Sequence, residues 1–262
     1  MPNAKDLDKP AYQNILVVGP TGSGKTSQIW TLKGKKFAYI FDPNSLASLQ
    51  GCDLEYETFF PDIMELDSTV RGFNRDAKDK GQKSKLEPTK YIEFADHLVT
   101  KAKEGYFKQF DWVCFDSLTF LEKLIMQRTL YINNRYGQIE DLSDYRCVGS
   151  KMSDLFASIL SEDVNIFCTG HITSYQDEKT KKVSTELKLA GSAKINLPLA
   201  FTNIWLASSQ SEGDKRKFVI QTIPEKRGLQ CIRTQVKGLK TLHDVTIGDF
   251  DNAEKYGIGS LL

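Results

Sequence analysis

Residues 15–26 read Ile15-Leu16-Val17-Val18-Gly19-Pro20-Thr21-Gly22-Ser23-Gly24-Lys25-Thr26. Four consecutive apolar residues running straight into a glycine-rich turn describe a buried strand that opens onto a phosphate-binding loop. Glycines let the backbone curl until several N–H groups face one anion. Lys25 adds a point charge for the β- and γ-phosphates of a nucleotide, and the Thr26 hydroxyl is placed to ligate Mg²⁺. A helix over 26–32 is expected to turn its positive end toward the same phosphates. The eight residues Gly19, Pro20, Thr21, Gly22, Ser23, Gly24, Lys25 and Thr26 thus predict the ligand before they predict the fold.

Working outward, three more apolar runs read as strands. One spans 37–41 and ends at Asp42, one spans 112–115 and ends at Asp116, and one spans 164–168 and ends at Thr169-Gly170-His171. Near-continuous apolar runs suit a parallel sheet covered on both faces. Helical patterns lie between them at 89–104, 118–131 and 142–161, so the alternation predicts an α/β fold built on a mainly parallel sheet. After His171 the texture changes. Residues 171–176 and 183–189 can pair across a polar turn, and 203–207, 217–222 and 230–235 are strand-like with tight connections. Antiparallel strands are therefore expected in the C-terminal third. The domain reading is an N-terminal extension at 1–11, one domain at 12–240 and a tail at 241–262, loosely held from Asp249. The lysine-rich stretch 71–90 is read as a solvated mobile loop.

Composition narrows the classes. The chain has 262 residues with a formal net charge of +1, 40% hydrophobic and 26% charged. No global field draws it to nucleic acid or anionic lipid, so any nucleic-acid site must be a local patch. Without a long apolar run or a signal-peptide pattern, the expectation is a cytoplasmic protein with no membrane association. The five cysteines are scattered and form no CxxC pair, and the three histidines are equally dispersed, which argues against zinc and disulfides.

A P-loop needs a second carboxylate for Mg²⁺ at the end of a neighbouring strand. Asp116 fits; Asp111 precedes its apolar run and falls at the far edge. Asp42, ending the second strand, is the candidate for orienting the attacking water, the alternative being a turn-forming Asp before Pro43. Asn44 can position water but cannot accept its proton. His171 is placed to sense the γ-phosphate, or else is simply a hydrogen-bonded structural residue. Lys179, Lys181 and Lys182 are hairpin-tip lysines that either solubilise or touch a nucleic-acid backbone. Arg233, inside a strand-like run, could act on a neighbouring subunit's nucleotide as an arginine finger.

These features together resemble the RecA-like P-loop ATPases. The resemblance rests on Gly19 to Thr26, on Phe115-Asp116-Ser117-Leu118-Thr119 and on Cys168-Thr169-Gly170-His171. Leu187-Lys188-Leu189-Ala190-Gly191, Leu197-Pro198, Ile204-Trp205-Leu206 and Cys231-Ile232-Arg233-Thr234 extend it toward the phage-encoded branch that includes single-strand annealing proteins. The resemblance implies ATP with Mg²⁺, assembly into a ring or filament, and single-stranded DNA bound around 133–146 and 171–182. Those segments carry Arg135, Tyr136, Arg146, Lys179, Lys181 and Lys182. It also implies a role in recombination or annealing, with a phage single-strand-binding protein as a possible companion in the host cytoplasm. RecA itself carries a Glu two residues after the Asp that ends its second strand. This chain has Asn44 there, so hydrolysis is expected to be slow or to rely on Asp42. The family's basic pair is reduced to Arg233, with Cys231 at the other position. Two other readings stand beside this one: a nucleotide-gated assembly protein with little hydrolysis, and a P-loop small-molecule kinase.

Overall fold

The P-loop strand lies inside a sheet that is covered on both sides, and this sets the architecture. The computed structural model describes residues 12–61, 87–176, 178, 183–213, 215–225 and 229–262. Strand β1 (Asn14–Gly19) leads through the P-loop into a 3-10 helix (Thr26–Thr31), then β2 (Lys36–Ile40), α1 (Ser45–Leu49) and β3 (Glu55–Thr58). There follow α2 (Lys90–Lys103), β4 (Trp112–Asp116), α3 (Leu118–Ile132), α4 (Leu142–Ile159) and β5 (Asn165–Gln176). The chain continues through β6 (Val183–Leu187), the short α5 (Ala193–Asn196), β7 (Asn203–Glu212), β8 (Lys215–Gln221) and β9 (Leu242–Asp244).

The sheet order is β3-β2-β4-β5-β1-β7-β8-β9, with β6 paired to β5. From β3 through β7 every pair is parallel. The pairs β5–β6, β7–β8 and β8–β9 are antiparallel. The expected α/β class, with antiparallel strands added in the C-terminal third, is met.

Alternation along β1 explains its unbroken apolar run. Leu16 and Val18 enter one core with Phe94, Leu121, Val148, Met152 and Phe156 of α2, α3 and α4. Ile15 and Val17 enter the other with Ile29, Leu49, Trp205, Val245 and Ile258. All four β1 side chains are buried, and each contributes about 1.5–3 kcal/mol of burial free energy. This core fixes the strand ends from which the site is built.

Four expectations need correction. Residues 26–32 wind as a six-residue 3-10 helix rather than an α-helix. The Thr31 hydroxyl donates to Gln28 O at 2.8 Å and so ties the segment to its own backbone. So short a helix has little macrodipole, and the charge for phosphates falls on Lys25 and the loop N–H groups. Strand β5 does not stop at His171 but runs on to Gln176, because Ile172 to Gln176 find new partners in β6. Residues 230–235 form no strand; Arg233 makes a single bridge to Ile204. There Asn203 Oδ1 accepts from Thr234 Oγ1 and the Gln235 N–H, and these side-chain bonds replace a ladder.

The fourth concerns the tail. Residues 242–244 are β9 of the main sheet, so the core extends past residue 240. Residues 249–262 form a strap on the helix after the P-loop. Gln28 Oε1 accepts the Ile258 N–H at 2.9 Å, and Thr31 Oγ1 accepts the Gly259 N–H at 3.0 Å. Phe250 meets the edge of Trp30. The polar, glycine-containing composition that suggested disorder serves a close approach instead: a methyl group on Gly259 would stand 1.6 Å from Thr31 O. Most of the stretch 71–90 lies outside the described residues; Glu87 at its end pairs with Arg128.

Candidate active site

Four neighbouring strands, β2, β4, β5 and β1, deliver the site. Parallel register sets Gly19 of β1 beside His171 of β5, while Ile40 of β2 faces Asp116 of β4. Gly19 and Asp116 at the ends of β1 and β4, Asp42 just past the end of β2, and His171 beside Gly19 within β5 therefore share one edge, the usual ligand edge of an open parallel sheet.

The P-loop's shape needs its glycines. Gly22 and Gly24 have φ of 74° and 77°, a region costly for other residues. A methyl group on Gly19 would stand 2.3 Å from Ala207 O, and one on Gly24 would stand 2.7 Å from the Phe218 ring. One on Gly22 would stand 3.3 Å from Arg216 Nη2. The β7–β8 hairpin thus forms one wall of the loop.

Lys25 is buried inside this cradle. Its ammonium donates to Gly19 O at 3.1 Å, Pro20 O at 2.8 Å and Ser23 Oγ at 3.4 Å. Desolvation lowers its pKa to about 8, while Asp116 and Asp42 favour the charged form. Asp116 is also buried. Desolvation raises its pKa, and the hydroxyls of Thr169, Ser45 and Thr26, placed around it, partly reverse the shift. Thr169 Oγ1 donates to Asp116 Oδ1. Asp116 Oδ2 is buried with no well-formed hydrogen bond. A carboxylate oxygen left over beside the P-loop threonine suits a hydrated divalent cation.

Asp42 is partly exposed at the end of β2. Its Oδ1 accepts from the Asn44 N–H at 3.0 Å and from Asn44 Nδ2 at 3.1 Å. The turn this creates launches α1, since the Ser45 N–H donates to Asp42 O at 3.0 Å. Asp42 is therefore both a turn residue and a carboxylate whose field reaches Lys25, Asp116 and His171. His171 is half-buried, its N–H donating to Thr119 Oγ1 at 3.1 Å. Burial and then the Lys25 charge push its pKa down to about 4, so the ring is neutral at physiological pH. Its buried Nδ1 has no hydrogen-bond partner.

Other predicted residues lie elsewhere. Asp111 stands at the opposite end of β4, where Oδ2 accepts the Lys35 N–H at 2.7 Å. The Arg233 guanidinium donates to the carbonyls of Pro198 and Phe201. It bridges to Ile204, which pairs with Leu16 in the middle of β1, short of the P-loop. Arg135 is engaged by Asp141, Asp144 and Ile139 O, where it buttresses the capping box of α4. Tyr136 is buried against Tyr131. Arg146 is exposed on α4. Lys179, Lys181 and Lys182 lie outside the described residues.

Sequence reading missed Ser45, Arg216 and Phe218. Ser45 gives a sequence signal in hindsight, as the first helical residue after the Asp42-Pro43-Asn44 turn. Arg216 sits in Lys215-Arg216-Lys217, a run that looks only like a solvated hairpin tip. Among the described residues no three His, Cys, Asp or Glu side chains cluster to hold a metal. Mg²⁺ would thus rest on Thr26, Asp116 and phosphate oxygens, a common arrangement for this ion.

The model of an AAA domain family matches residues 11–228 of the chain. The chain belongs to this AAA domain family. The family is one of AAA-type P-loop ATPases. Among solved structures, a KaiC-like protein from the hyperthermophilic archaeon Pyrococcus horikoshii is similar at 11% identity and a TM-score of 0.48, covering 90% of this chain and 86% of its own. The flagellar accessory protein FlaH from Methanocaldococcus jannaschii is similar at 13% identity and a TM-score of 0.40, covering 90% and 87%. No curated protein matches the chain in sequence. Among the described residues no helix is long and apolar enough to cross a membrane.

Proposed function

We propose that this AAA-domain protein hydrolyses ATP with Mg²⁺ and, as a ring or filament, couples turnover to single-stranded DNA in recombination or annealing. The observation that carries the ATPase reading is the meeting of Lys25, Thr26, Asp116 and Asp42, from separate strand ends, around one glycine cradle. Mg²⁺, when bound, would screen phosphate charge and polarise the transferred group. Lys25 binds the β- and γ-phosphates by exchanging Gly19 O and Pro20 O for phosphate oxygens. With Mg²⁺ bound, Asp116 would hold the cation through Oδ2, the buried oxygen without a hydrogen-bond partner. Asp42 orients water and accepts its proton, with Asn44 steering the carboxylate through Oδ1. His171, neutral and next to Gly19 in register, reports on the γ-phosphate through a hydrogen bond only.

The DNA half of the proposal is supported by the β5–β6 hairpin, which begins one residue after His171. Any shift at the phosphate edge is thereby carried directly into an exposed hairpin with Tyr175 on its surface, and aromatic rings are sequence-tolerant platforms for unstacked bases. Arg146 and the lysines 179, 181 and 182 would supply backbone contacts. Steady-state ATP turnover with and without single-stranded DNA tests the reading, together with particle size in an ATP analogue. Stimulated turnover and a shift to larger particles are expected; turnover and size indifferent to DNA would remove the DNA role.

A second reading, a nucleotide-gated assembly protein with little hydrolysis, is favoured by Asn44. It has no proton-accepting group, and it occupies one oxygen of Asp42. Tight ATP binding with turnover no faster than the uncatalysed background would establish it.

A further inference from the structure

We infer that Arg216 is a nucleotide-binding residue of the same subunit, holding the non-transferred phosphates from the β7–β8 side of the P-loop; the inference rests on the nucleotide site proposed above. Arg216 Nη2, Nη1 and Cζ would stand 3.3, 3.9 and 4.0 Å from a methyl group on Gly22. The guanidinium is thus packed on the loop whose N–H groups face the anion. Two contacts fix it there: Nη2 donates to Ser209 Oγ at 3.0 Å, and the guanidinium carbon lies 5.5 Å from the Phe218 ring centre. Phe218 in turn packs on Gly24. One aromatic side chain therefore seats both the arginine and the loop.

The charges point the same way. Neighbouring Lys217 is neutralised by Glu212. Among the described residues no carboxylate pairs with Arg216. A guanidinium has five N–H donors in a planar fork that matches phosphate oxygens two at a time. Here one bond goes to Ser209, leaving donors beside a loop already built for polyphosphate. Position in the sheet defines the role. Asp42 and Asp116 lie beyond β5 on one side of β1, while β7 and β8 lie on the other. Arg216 thus approaches the side of the nucleotide away from the water-activating carboxylate. It binds and orients; it does not take part in bond breaking.

The test compares wild type, Arg216→Ala and Arg216→Lys for Mg-ADP and Mg-ATP affinity by titration calorimetry and for the KM and kcat of ATP. Losing a charge-assisted phosphate contact is expected to weaken ADP and ATP alike by about 10–100-fold. The loss should appear in KM, with partial recovery in Arg216→Lys. Far-ultraviolet circular dichroism and the melting temperature report whether the hairpin stays folded. Wild-type binding with Arg216→Ala unchanged would overturn the inference alone. A folded Arg216→Ala variant that loses kcat but keeps its ADP affinity would also overturn it, since that is a catalytic role. Failure of wild type to bind either nucleotide would overturn the P-loop reading and, with it, the inference.

Discussion

Replacing Lys25 with methionine should stabilise the nucleotide-free protein while destroying its ligand site. Methionine keeps the length of the buried stem and removes the charge. The lysine pKa falls from 10.5 to about 8 on folding, which corresponds to about 3 kcal/mol of unfavourable free energy for the ammonium at pH 7. Against this, Gly19 O and Pro20 O lose their donor, at about 1 kcal/mol each. The net expectation at pH 7 is a gain of about 1 kcal/mol, or about 2–4 °C in melting temperature for a domain of this size. The sign of the pH dependence follows from proton counts. Between pH 8 and 10.5 the unfolded wild-type chain keeps the Lys25 proton that the folded chain has already released, so wild-type stability rises with pH in that window. The methionine variant lacks this slope. Its advantage should shrink above pH 8, cross zero near about pH 9 and reverse by pH 10. Urea denaturation of both proteins at pH 7, 8, 9 and 10 without nucleotide measures the gap directly. A variant less stable at pH 7, or a gap independent of pH, would refute the reasoning.

Three further outcomes follow from the same geometry. Gly259→Ala cannot fit against Thr31 O, so the C-terminal strap should lift from the helix after the P-loop. A stability loss of about 1–3 kcal/mol in urea melts and a raised KM for ATP are expected. Arg233→Ala should leave Pro198 O and Phe201 O without their donor, costing about 1–3 kcal/mol. Turnover per folded molecule should change only if, in the assembly, the guanidinium leaves those carbonyls for a neighbour's nucleotide. His171, with its pKa pushed down to about 4 from 6.5, makes stability rise with pH between those values. Below pH 6.5 the wild type should therefore lose stability faster than His171→Gln, and no step in the turnover profile near pH 6.5 should trace to this residue.

The sequence made the parallel core legible because its signal is local. Four apolar runs, each ending in Gly, Asp or His, are enough to set β1, β2, β4 and the first half of β5 with their functional ends on one edge. Strand β3 escaped because Glu55-Tyr56-Glu57-Thr58 lies at the sheet edge, largely exposed, and carries no apolar run. The tail strap escaped because its stabilising bonds come from Gln28 and Thr31, more than two hundred residues away. A Gly-rich segment that must approach a backbone closely has the same composition as one that is loosely held.

The site divides in the same way. Lys25, Thr26 and Asp116 were readable because P-loop chemistry needs those residue types at strand ends. Arg216 was not, since its place beside Gly22 comes from where the β7–β8 hairpin folds back, which no local pattern encodes; Ser45 was signalled only by its place after the Asp42-Pro43-Asn44 turn. Arg233 in a strand-like run suggests a finger toward a neighbouring subunit; within one chain its guanidinium donates to the Pro198 and Phe201 carbonyls.

The central claim is that Asp116 and the P-loop act together on a Mg-bound nucleotide. Initial rates of ATP hydrolysis by wild type and Asp116→Asn, over a Mg²⁺ titration and with matched melting temperatures, test it most directly. Asparagine keeps the size of the side chain and its bond with Thr169 but removes the charge. The account predicts Mg²⁺-dependent turnover in wild type and a loss of at least about tenfold in the folded variant. Equal turnover in the two proteins, or turnover indifferent to Mg²⁺, would contradict it.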